Sequence, residues 1–146
     1  MNIYFCGSIR AGREDLPIYQ QIVSVLKIYG KVLTEHVAFP ELEILEDALT
    51  DSDILERDLR WLSEAHVIVA EVTVPSLGVG YEIGRAVAMN KPVLCLFRPS
   101  CGKRLSALIR GSENNRSFFV AEYEHKEDYE QCITRFMNYC QQKRVV

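Results

Sequence analysis

The sequence lacks the short motifs that mark several large enzyme classes. Its 146 residues contain no CxxC pair, no spacing typical of a metal site, no lysine-bearing phosphate loop and no nucleophile elbow. The five cysteines are therefore interpreted as buried free thiols of a reducing compartment. Cys6 and Cys95 lie in strand-like runs, and Cys132 and Cys140 lie in a helix-like run.

Long apolar runs and an excess of positive charge are also lacking. No segment approaches the length needed to span a membrane, and no signal peptide opens the chain. The formal net charge is −3, whereas nucleic-acid-binding surfaces are normally basic. We therefore expect an intracellular protein, cytoplasmic or nuclear, that binds neither membranes nor nucleic acids. A small phosphorylated ligand stays compatible with this charge, because it needs only a local site.

No linker, internal repeat or low-complexity segment interrupts the chain, so a single domain is predicted over residues 1–146. Apolar, strand-like runs alternate with segments of helical spacing. This alternation predicts one doubly wound α/β domain, a five-stranded parallel sheet with helices on both faces. The predicted strands are 2–6, 31–34, 66–72, 92–97 and 117–121, and the predicted helices are 16–29, 53–64, 80–89, 105–110 and 126–142. The acidic segment 35–52 is weakly patterned and is predicted to be partly loop.

Glycine-containing loops follow the first and third predicted strands, at residues 7–12 and 73–80. In a flavodoxin-like strand order these two strands are neighbours at the point where the order reverses. The two loops would then face each other across a crevice at one edge of the sheet. We therefore predict that the functional site lies between them.

Glu82 lies beside this predicted site. Free N–H groups at a helix start, next to glycines that let a ligand approach closely, favour a bound anion. A carboxylate there would repel a phosphate, so Glu82 needs another explanation. We place it in the first turn of the predicted helix, where the helix dipole favours the charged form. Glu82 is either a charge that complements the dipole or a nucleophile kept ionised at neutral pH.

Asp58 lies on the apolar face of its predicted helix, four residues after Ile54 and four before Leu62. Burying an unpaired carboxylate is costly, so Asp58 needs a partner, a raised pKa or a cleft. It is either a helix-edge residue bonded to the backbone or to an arginine, or a catalytic acid. Two carboxyls in unlike environments are what acid and base roles require.

Four further side chains have both a structural and a functional interpretation. Tyr4 is either a core aromatic with a satisfied hydroxyl or a site residue. Ser8 and Arg10 directly follow the first strand and either form a solvated turn or bind an anion. His36 is a lone histidine, and such residues are more often structural than ligand-binding.

Several motifs along the chain strongly resemble the 2′-deoxynucleoside 5′-phosphate N-hydrolases, which are relatives of the nucleoside deoxyribosyltransferases. The resemblance extends to about Arg116. Its motifs are Tyr4-Phe5-Cys6-Gly7-Ser8-Ile9-Arg10 with Gly12-Arg13-Glu14-Asp15; Val32-Leu33-Thr34-Glu35-His36-Val37; Asp58-Leu59 with Trp61-Leu62; Pro75-Ser76-Leu77-Gly78-Val79-Gly80-Tyr81-Glu82; Leu96-Phe97-Arg98-Pro99; and Leu105-Ser106-Ala107 with Ile109-Arg110-Gly111.

The resemblance implies hydrolysis of the N-glycosidic bond of a deoxynucleoside monophosphate, without a cofactor or a metal. It implies that Glu82 is the nucleophile, that Tyr4 orients Glu82 and that Asp58 is the general acid. It also implies a homodimer with shared active sites, in which Ser106 of the partner subunit reaches the substrate phosphate. The substrate-binding residues implied by the matched motifs are Gly7, Ser8, Ile9, Arg10, His36, Ser76, Gly78 and Ser106.

Segment 39–52 departs from the family pattern and flanks the expected base pocket, so the sequence predicts no preferred base. Two other functions share the fold. A deoxyribosyltransferase would use the same nucleophile but pass the sugar to a second base, and the predicted phosphate-binding residues argue against it. A non-catalytic nucleotide sensor would gain nothing from a carboxylate beside the phosphate.

Overall fold

Five parallel strands form one sheet in the computed structural model, which describes residues 1–144. The strands are β1 (Asn2–Cys6), β2 (Lys31–Val32), β3 (Val67–Glu71), β4 (Val93–Phe97) and β5 (Phe118–Glu122). Their spatial order is β2-β1-β3-β4-β5, so β1 and β3 are neighbours, with Tyr4 opposite Ile68. The predicted fold class is confirmed. The single domain predicted over 1–146 includes two residues, 145 and 146, that lie outside the described residues.

Residues 1–144 form six α-helices that cover both faces of the sheet, the last of them after β5. They are α1 (Leu16–Leu26), α2 (Leu42–Asp47), α3 (Asp51–Glu64), α4 (Leu77–Ala88), α5 (Ala107–Gly111) and α6 (Lys126–Arg144). Short 3₁₀ turns occupy Glu35–Ala38 and Pro99–Cys101. Of the helices in the described part of the chain, none is both long and apolar enough to cross a membrane.

Alternating side chains of each strand supply two separate cores. On β1, Ile3 and Phe5 pack with α1 and α6, whereas Tyr4 and Cys6 point to the opposite face and pack with α3 and α4. β3 divides its side chains in the same way. Because both faces are covered, the inner strands read as continuous apolar runs rather than as an alternation.

Segment 35–52 contains a 3₁₀ turn, the helix α2 and the start of α3, separated by non-helical residues 39–41 and 48–50, so the prediction that it is partly loop is confirmed. Leu42 and Glu46, four residues apart, both lie on the buried side of α2. The next helix, α3, is capped by a reciprocal pair in which Thr50 and Asp53 each accept the backbone N–H of the other. This capping box extends α3 to Asp51, two residues before the predicted start.

The second strand is shorter than predicted because a side chain replaces the strand's backbone pairing. The Thr34 hydroxyl donates to the carbonyl of Phe5 at 2.6 Å and accepts the Phe5 N–H at 2.8 Å. The chain then turns into the 3₁₀ segment at Glu35. The strand β2 therefore ends at Val32, and the last backbone hydrogen bond to β1 is donated by the Leu33 N–H to the Ile3 carbonyl at 2.9 Å.

All five cysteines are free thiols. Cys6, Cys95 and Cys140 are buried as predicted, whereas Cys132 is only half-buried because its helix presents it at the edge of the core.

A buried polar network holds the carboxyl ends of β3, β4 and β5 together. Glu71, the last residue of β3, is fully buried and accepts hydrogen bonds from the hydroxyls of Thr73 and Tyr123. Arg98 follows β4 and donates to the Tyr123 hydroxyl and to Asp15, the latter at 2.8 Å. Burial raises the pKa of Glu71 to about 7. The folded protein therefore holds a proton on Glu71 that the unfolded chain releases at lower pH.

We expect Glu71→Gln to reduce the dependence of stability on pH. With a pKa of 4.5 when unfolded and about 7 when folded, Glu71 lowers the free energy of unfolding progressively as pH rises through this window. Between pH 5 and pH 8 this loss is about 2 kcal/mol. Urea unfolding of the unaltered protein and of the variant at both pH values measures this loss, because all other titrating groups are common to the two proteins. An identical pH dependence in the variant would contradict this account, and Glu56→Gln, at an exposed position, is the control.

Candidate active site

A cavity of about 640 Å³ lies where the loops after β1 and β3 meet. Gly7, Ile9 and Arg10 form one wall, and the start of α4 forms another. α3 closes the third side with a mainly apolar surface. The four carboxyl side chains of the lining are Glu46, Asp51, Asp58 and Glu82. The predicted meeting of the two loops is confirmed.

Glu82 projects into this cavity and is held by Tyr4. The Tyr4 hydroxyl donates to Glu82 Oε1, with 2.5 Å between the oxygens. Desolvation raises the pKa of Glu82 to about 7, against the lowering effect of the Tyr4 hydrogen bond. Tyr4 is itself buried, and its desolvation together with the Glu82 charge raises the pKa of its hydroxyl well above the usual range, so it remains a donor.

The helix dipole does not hold Glu82 ionised, which corrects the prediction. Ser76 caps α4, with its Oγ accepting the Val79 N–H at 3.3 Å, so the helix begins at Leu77 rather than at Gly80. Glu82 therefore lies in the second turn, where the dipole has largely decayed. Its ionisation is set by desolvation and by the neighbouring side chains.

Asp58 projects from α3 into the same cavity, as its helical spacing predicted. All three features that the sequence offered for a buried Asp58 are present. Burial raises the pKa of the Asp58 carboxyl, and the Arg57 Nε–H donates to Asp58 Oδ1 at 2.9 Å, which opposes that rise. The candidate acid thus has a partner, a cleft and a raised pKa.

The Arg57 guanidinium also reaches a second carboxylate. Its Nη2 lies 2.8 Å from Glu46 Oε1, and its carbon lies 5.1 Å from the centre of the Trp61 ring. Arg57 and Glu46 are both largely shielded from solvent. One cation therefore joins α2 to the candidate acid on α3.

The candidate anion site combines a loop with a helix start. Gly7, Ile9, Arg10, Ser76 and Gly78 line the cavity. The Val79 N–H in the first turn of α4 is taken by the Ser76 cap, whereas the N–H groups of Leu77 and Gly78 have no acceptor within the helix, so they can serve an anion. Arg10 is 72% exposed and pairs with Asp51 at 3.1 Å. A ligand phosphate would compete with Asp51 for this guanidinium.

Ser8 is fully buried, so a solvated turn does not describe it. Its N–H donates to the Tyr19 hydroxyl at 3.1 Å, which ties the loop to α1. Its Oγ has no hydrogen-bond partner within residues 1–144. Ser8 does not line the cavity, although its neighbours Gly7 and Ile9 do. A buried hydroxyl left unpaired is costly, which makes Ser8 a candidate donor to a ligand at this loop.

The structure places His36 outside the cavity lining, next to Glu46. Its Nε2 is 4.0 Å from Glu46 Oε1, and its ring lies 5.2 Å from that of Trp61. Burial, followed by the charge of Arg57, lowers the pKa of His36 to about 4, so the ring is neutral at pH 7. The contacts of His36 therefore indicate a structural role for this residue.

Ser106 lies apart from the first cavity of its own chain. It directly precedes α5 and lines a second cavity of about 610 Å³. The two cavities share Ser76, Leu77 and Val79 at the start of α4. Ser106 therefore lies on the other side of the same helix end.

Sequence reasoning missed Glu46 and Arg57. The spacing of Leu42 and Glu46 carried a signal, since it places a carboxylate on an apolar helix face. Arg57 adjoins Asp58 in the chain, but adjacent helix residues do not usually face each other. Its role is visible only once α2 lies beside α3. Within residues 1–144, no group of three or more His, Cys, Asp or Glu side chains is arranged to hold a metal ion.

The comparisons with known proteins agree with this geometry. The family model described as nucleoside 2-deoxyribosyltransferase matches residues 3–109. The rat 5-hydroxymethyl-dUMP N-hydrolase is 61% identical over 128 residues, which cover 86% of this chain and 78% of the rat protein. A putative 2′-deoxynucleoside 5′-phosphate N-hydrolase of Trichoplax adhaerens is 56% identical over 92% of both chains. The chain belongs to the nucleoside 2-deoxyribosyltransferase family. The enzyme class predicted from the sequence, an N-glycosidase, is confirmed, because these relatives are named N-hydrolases.

Solved structures share the fold at lower identity. The Clostridium botulinum CMP N-glycosidase BcmB superposes with a TM-score of 0.63 at 20% identity, covering 92% of this chain and 99% of that protein. A 2-deoxyribosyltransferase from Bacillus psychrosaccharolyticus superposes with a TM-score of 0.60 at 21% identity, over 89% of this chain and 90% of that protein.

Proposed function

We propose that this protein hydrolyses the N-glycosidic bond of 2′-deoxynucleoside 5′-monophosphates, releasing the free base and 2-deoxyribose 5-phosphate. The observation that carries the proposal is the pair of unlike carboxyls in one cavity. Glu82 is oriented by the Tyr4 hydroxyl, and Asp58 lies on an apolar helix face. The identity to N-hydrolases of deoxynucleoside monophosphates supports the same reaction.

Glu82 acts as the nucleophile on the anomeric carbon. Its raised pKa of about 7 leaves roughly half of the side chains ionised at pH 7. Tyr4 occupies one lone pair of Oε1 and leaves Oε2 for the sugar. The C1′–N bond breaks as the Glu82–C1′ bond forms, through an oxocarbenium-like transition state. Water then cleaves the deoxyribosyl ester and regenerates the carboxylate.

Asp58 supplies the proton that the departing base needs. A nitrogen anion is a poor leaving group, so protonation in the transition state lowers the barrier. Asp58, now ionised, accepts a proton from the water that attacks the ester. Its raised pKa suits both steps.

The substrate phosphate binds at the loop after β1 and the start of α4. The buried Ser8 hydroxyl, the Arg10 guanidinium, Ser76 and the Gly78 amide are the proposed contacts. Arg10 is exposed on the cavity rim, where it can turn from Asp51 to the ligand. These contacts fix the sugar over Glu82, so the phosphate contributes to turnover as well as to binding.

The site is completed by a second subunit in this proposal. Ser106 lies across the end of α4 from the catalytic cavity, near the unusually exposed side chains of Leu77, at 96%, and Leu108, at 83%. Apolar side chains this exposed are typical of an interface. In a homodimer, Ser106 of one subunit would contact the phosphate bound by the other.

A panel of substrates tests the reaction. We expect base release from 2′-deoxynucleoside 5′-monophosphates, with 5-hydroxymethyl-dUMP included because relatives are named for it. The unphosphorylated nucleoside should react at least tenfold more slowly, since a charge-assisted contact is worth roughly 1.5–3 kcal/mol. The ribonucleotide should be disfavoured because its 2′-hydroxyl destabilises the oxocarbenium ion. Chromatography of released base measures all three.

Two results of this panel would contradict the proposal. Similar rates of base release from the monophosphate and from the unphosphorylated nucleoside would contradict the proposed phosphate-binding site. Transfer of the sugar to an added second base, in preference to water, would make the protein a deoxyribosyltransferase.

Replacing the nucleophile is a second test. We expect Glu82→Gln to lower turnover by several orders of magnitude, because the covalent step is lost while the shape of the site is kept. The variant should still bind a deoxynucleoside monophosphate, and calorimetry measures this binding. In the unaltered protein, rapid quenching and mass spectrometry should find deoxyribose phosphate on Glu82. Near-normal turnover of the variant would exclude Glu82 as the nucleophile.

The shared site is tested by mixing two inactive variants. Ser106→Ala and Glu82→Gln chains that exchange at random give half mixed dimers, each with one intact site. Activity should then rise to about one quarter of the unaltered value. If exchange is proven by mass spectrometry and activity does not rise, each subunit works alone.

A further inference from the structure

Three carboxyl groups and one guanidinium meet at the catalytic cavity. Asp58, Glu46 and Glu82 all line it, and Arg57 contacts the first two at 2.9 Å and 2.8 Å. If all three carboxyls were ionised, three negative charges would face one positive charge beside a mainly apolar wall. Such a cluster retains protons that isolated carboxyls would release.

The position of Arg57 works against the reaction proposed above. A guanidinium bonded to Asp58 stabilises the ionised carboxylate, whereas the departing base needs the protonated acid. Glu46 opposes this effect because it binds the other edge of the same guanidinium. It also adds a negative charge near Asp58 and Glu82, which raises the pKa of both.

We propose that the Arg57–Glu46 pair is a positioning device that controls the proton on Asp58. Glu46 shares the Arg57 guanidinium with Asp58, which weakens the stabilisation of the ionised Asp58 carboxylate and lets Asp58 act as the acid. This proposal rests on the proposed function. Arg57 and Glu46 act through Asp58 and Glu82 and form no bond with the reacting atoms. The charge of Arg57 lowers the pKa of Glu82 and the charge of Glu46 raises it, as for Asp58. Each single substitution therefore shifts the pKa values of Asp58 and Glu82 together, and the two substitutions shift them in opposite directions.

Other charged or titratable groups surround the cluster and remain unchanged in the test. They come from β1 and its loop, from the 3₁₀ turn after β2 and from the start of α3. These groups are Tyr4, Cys6, Arg10, His36 and Asp51.

The two variants have opposite expected effects. In Arg57→Gln, loss of the positive charge disfavours both carboxylates, so the pH profile of kcat/KM should move to higher pH by about one unit. In Glu46→Gln, the guanidinium acts on Asp58 without competition, so the profile should move to lower pH. Arg57→Lys keeps the charge and should return the profile towards that of the unaltered protein. A purely structural role would lower the rate at every pH without moving the profile.

Matched controls lie on the same two helices. Arg60 on α3 and Glu43 on α2 are exposed, and Arg60→Gln and Glu43→Gln change the net charge by the same amounts. Neither should move the profile. Unmoved profiles in Arg57→Gln and Glu46→Gln, or shifts of the same sign, would overturn the proposal. If Arg57→Gln does not fold, the downward shift in Glu46→Gln decides alone.

A measurement without substrate separates this proposal from the reaction itself. Carboxyl ¹³C NMR titration of the free protein follows Asp58 and Glu82 directly. Both apparent pKa values should rise in Arg57→Gln and fall in Glu46→Gln. If the unaltered protein releases no base, the proposed function is wrong, and this titration still decides whether the pair controls the proton on Asp58.

Discussion

The pairing of β1 with β3 is the constraint on which the site depends. It reverses the strand order at this point and leaves a crevice between the loops that follow the two strands. The same pairing places the Tyr4 side chain on the face of the sheet that α3 and α4 cover, where its hydroxyl donates to Glu82. The proposed nucleophile, Glu82, is therefore oriented by a residue at the centre of the sheet rather than by a loop. Such support restricts the carboxylate to one orientation before substrate arrives.

Desolvation is the second determinant of the chemistry. The cavity wall is mainly apolar, and burial beside it raises the pKa values of two of the lining carboxyls, Asp58 and Glu82. Hydrogen bonds then distinguish them. Tyr4 donates to Glu82 and favours its charge, whereas Asp58 shares the Arg57 guanidinium with Glu46. Two groups of the same chemical type thereby acquire unlike environments, which the proposed acid and nucleophile roles require.

Membership of the nucleoside 2-deoxyribosyltransferase family leaves two fates for the sugar, transfer to a base or to water. The part of the site that would hold the 5′ end of the substrate bears on the choice between transfer and hydrolysis. The exposed Arg10 guanidinium, the start of α4 and the Ser8 hydroxyl, which has no partner within residues 1–144, suit a phosphate, which a plain nucleoside lacks. The N-hydrolase names of the relatives agree with that assignment.

The sequence by itself determined the alternating fold, the facing loops and the placement of Asp58, because these follow from periodicity and chain order. Its motifs also pointed to Tyr4, Glu82 and the family. Other features depended on contacts between segments far apart in the chain. Ser76 as the cap of α4 moved Glu82 into the second turn, and desolvation rather than the dipole then set its ionisation. Packing of α2 against α3 joined Glu46 to Arg57, and the position of α1 buried Ser8. Only the tertiary structure decided these points, since burial and partner choice are properties of the assembled chain and not of any local pattern.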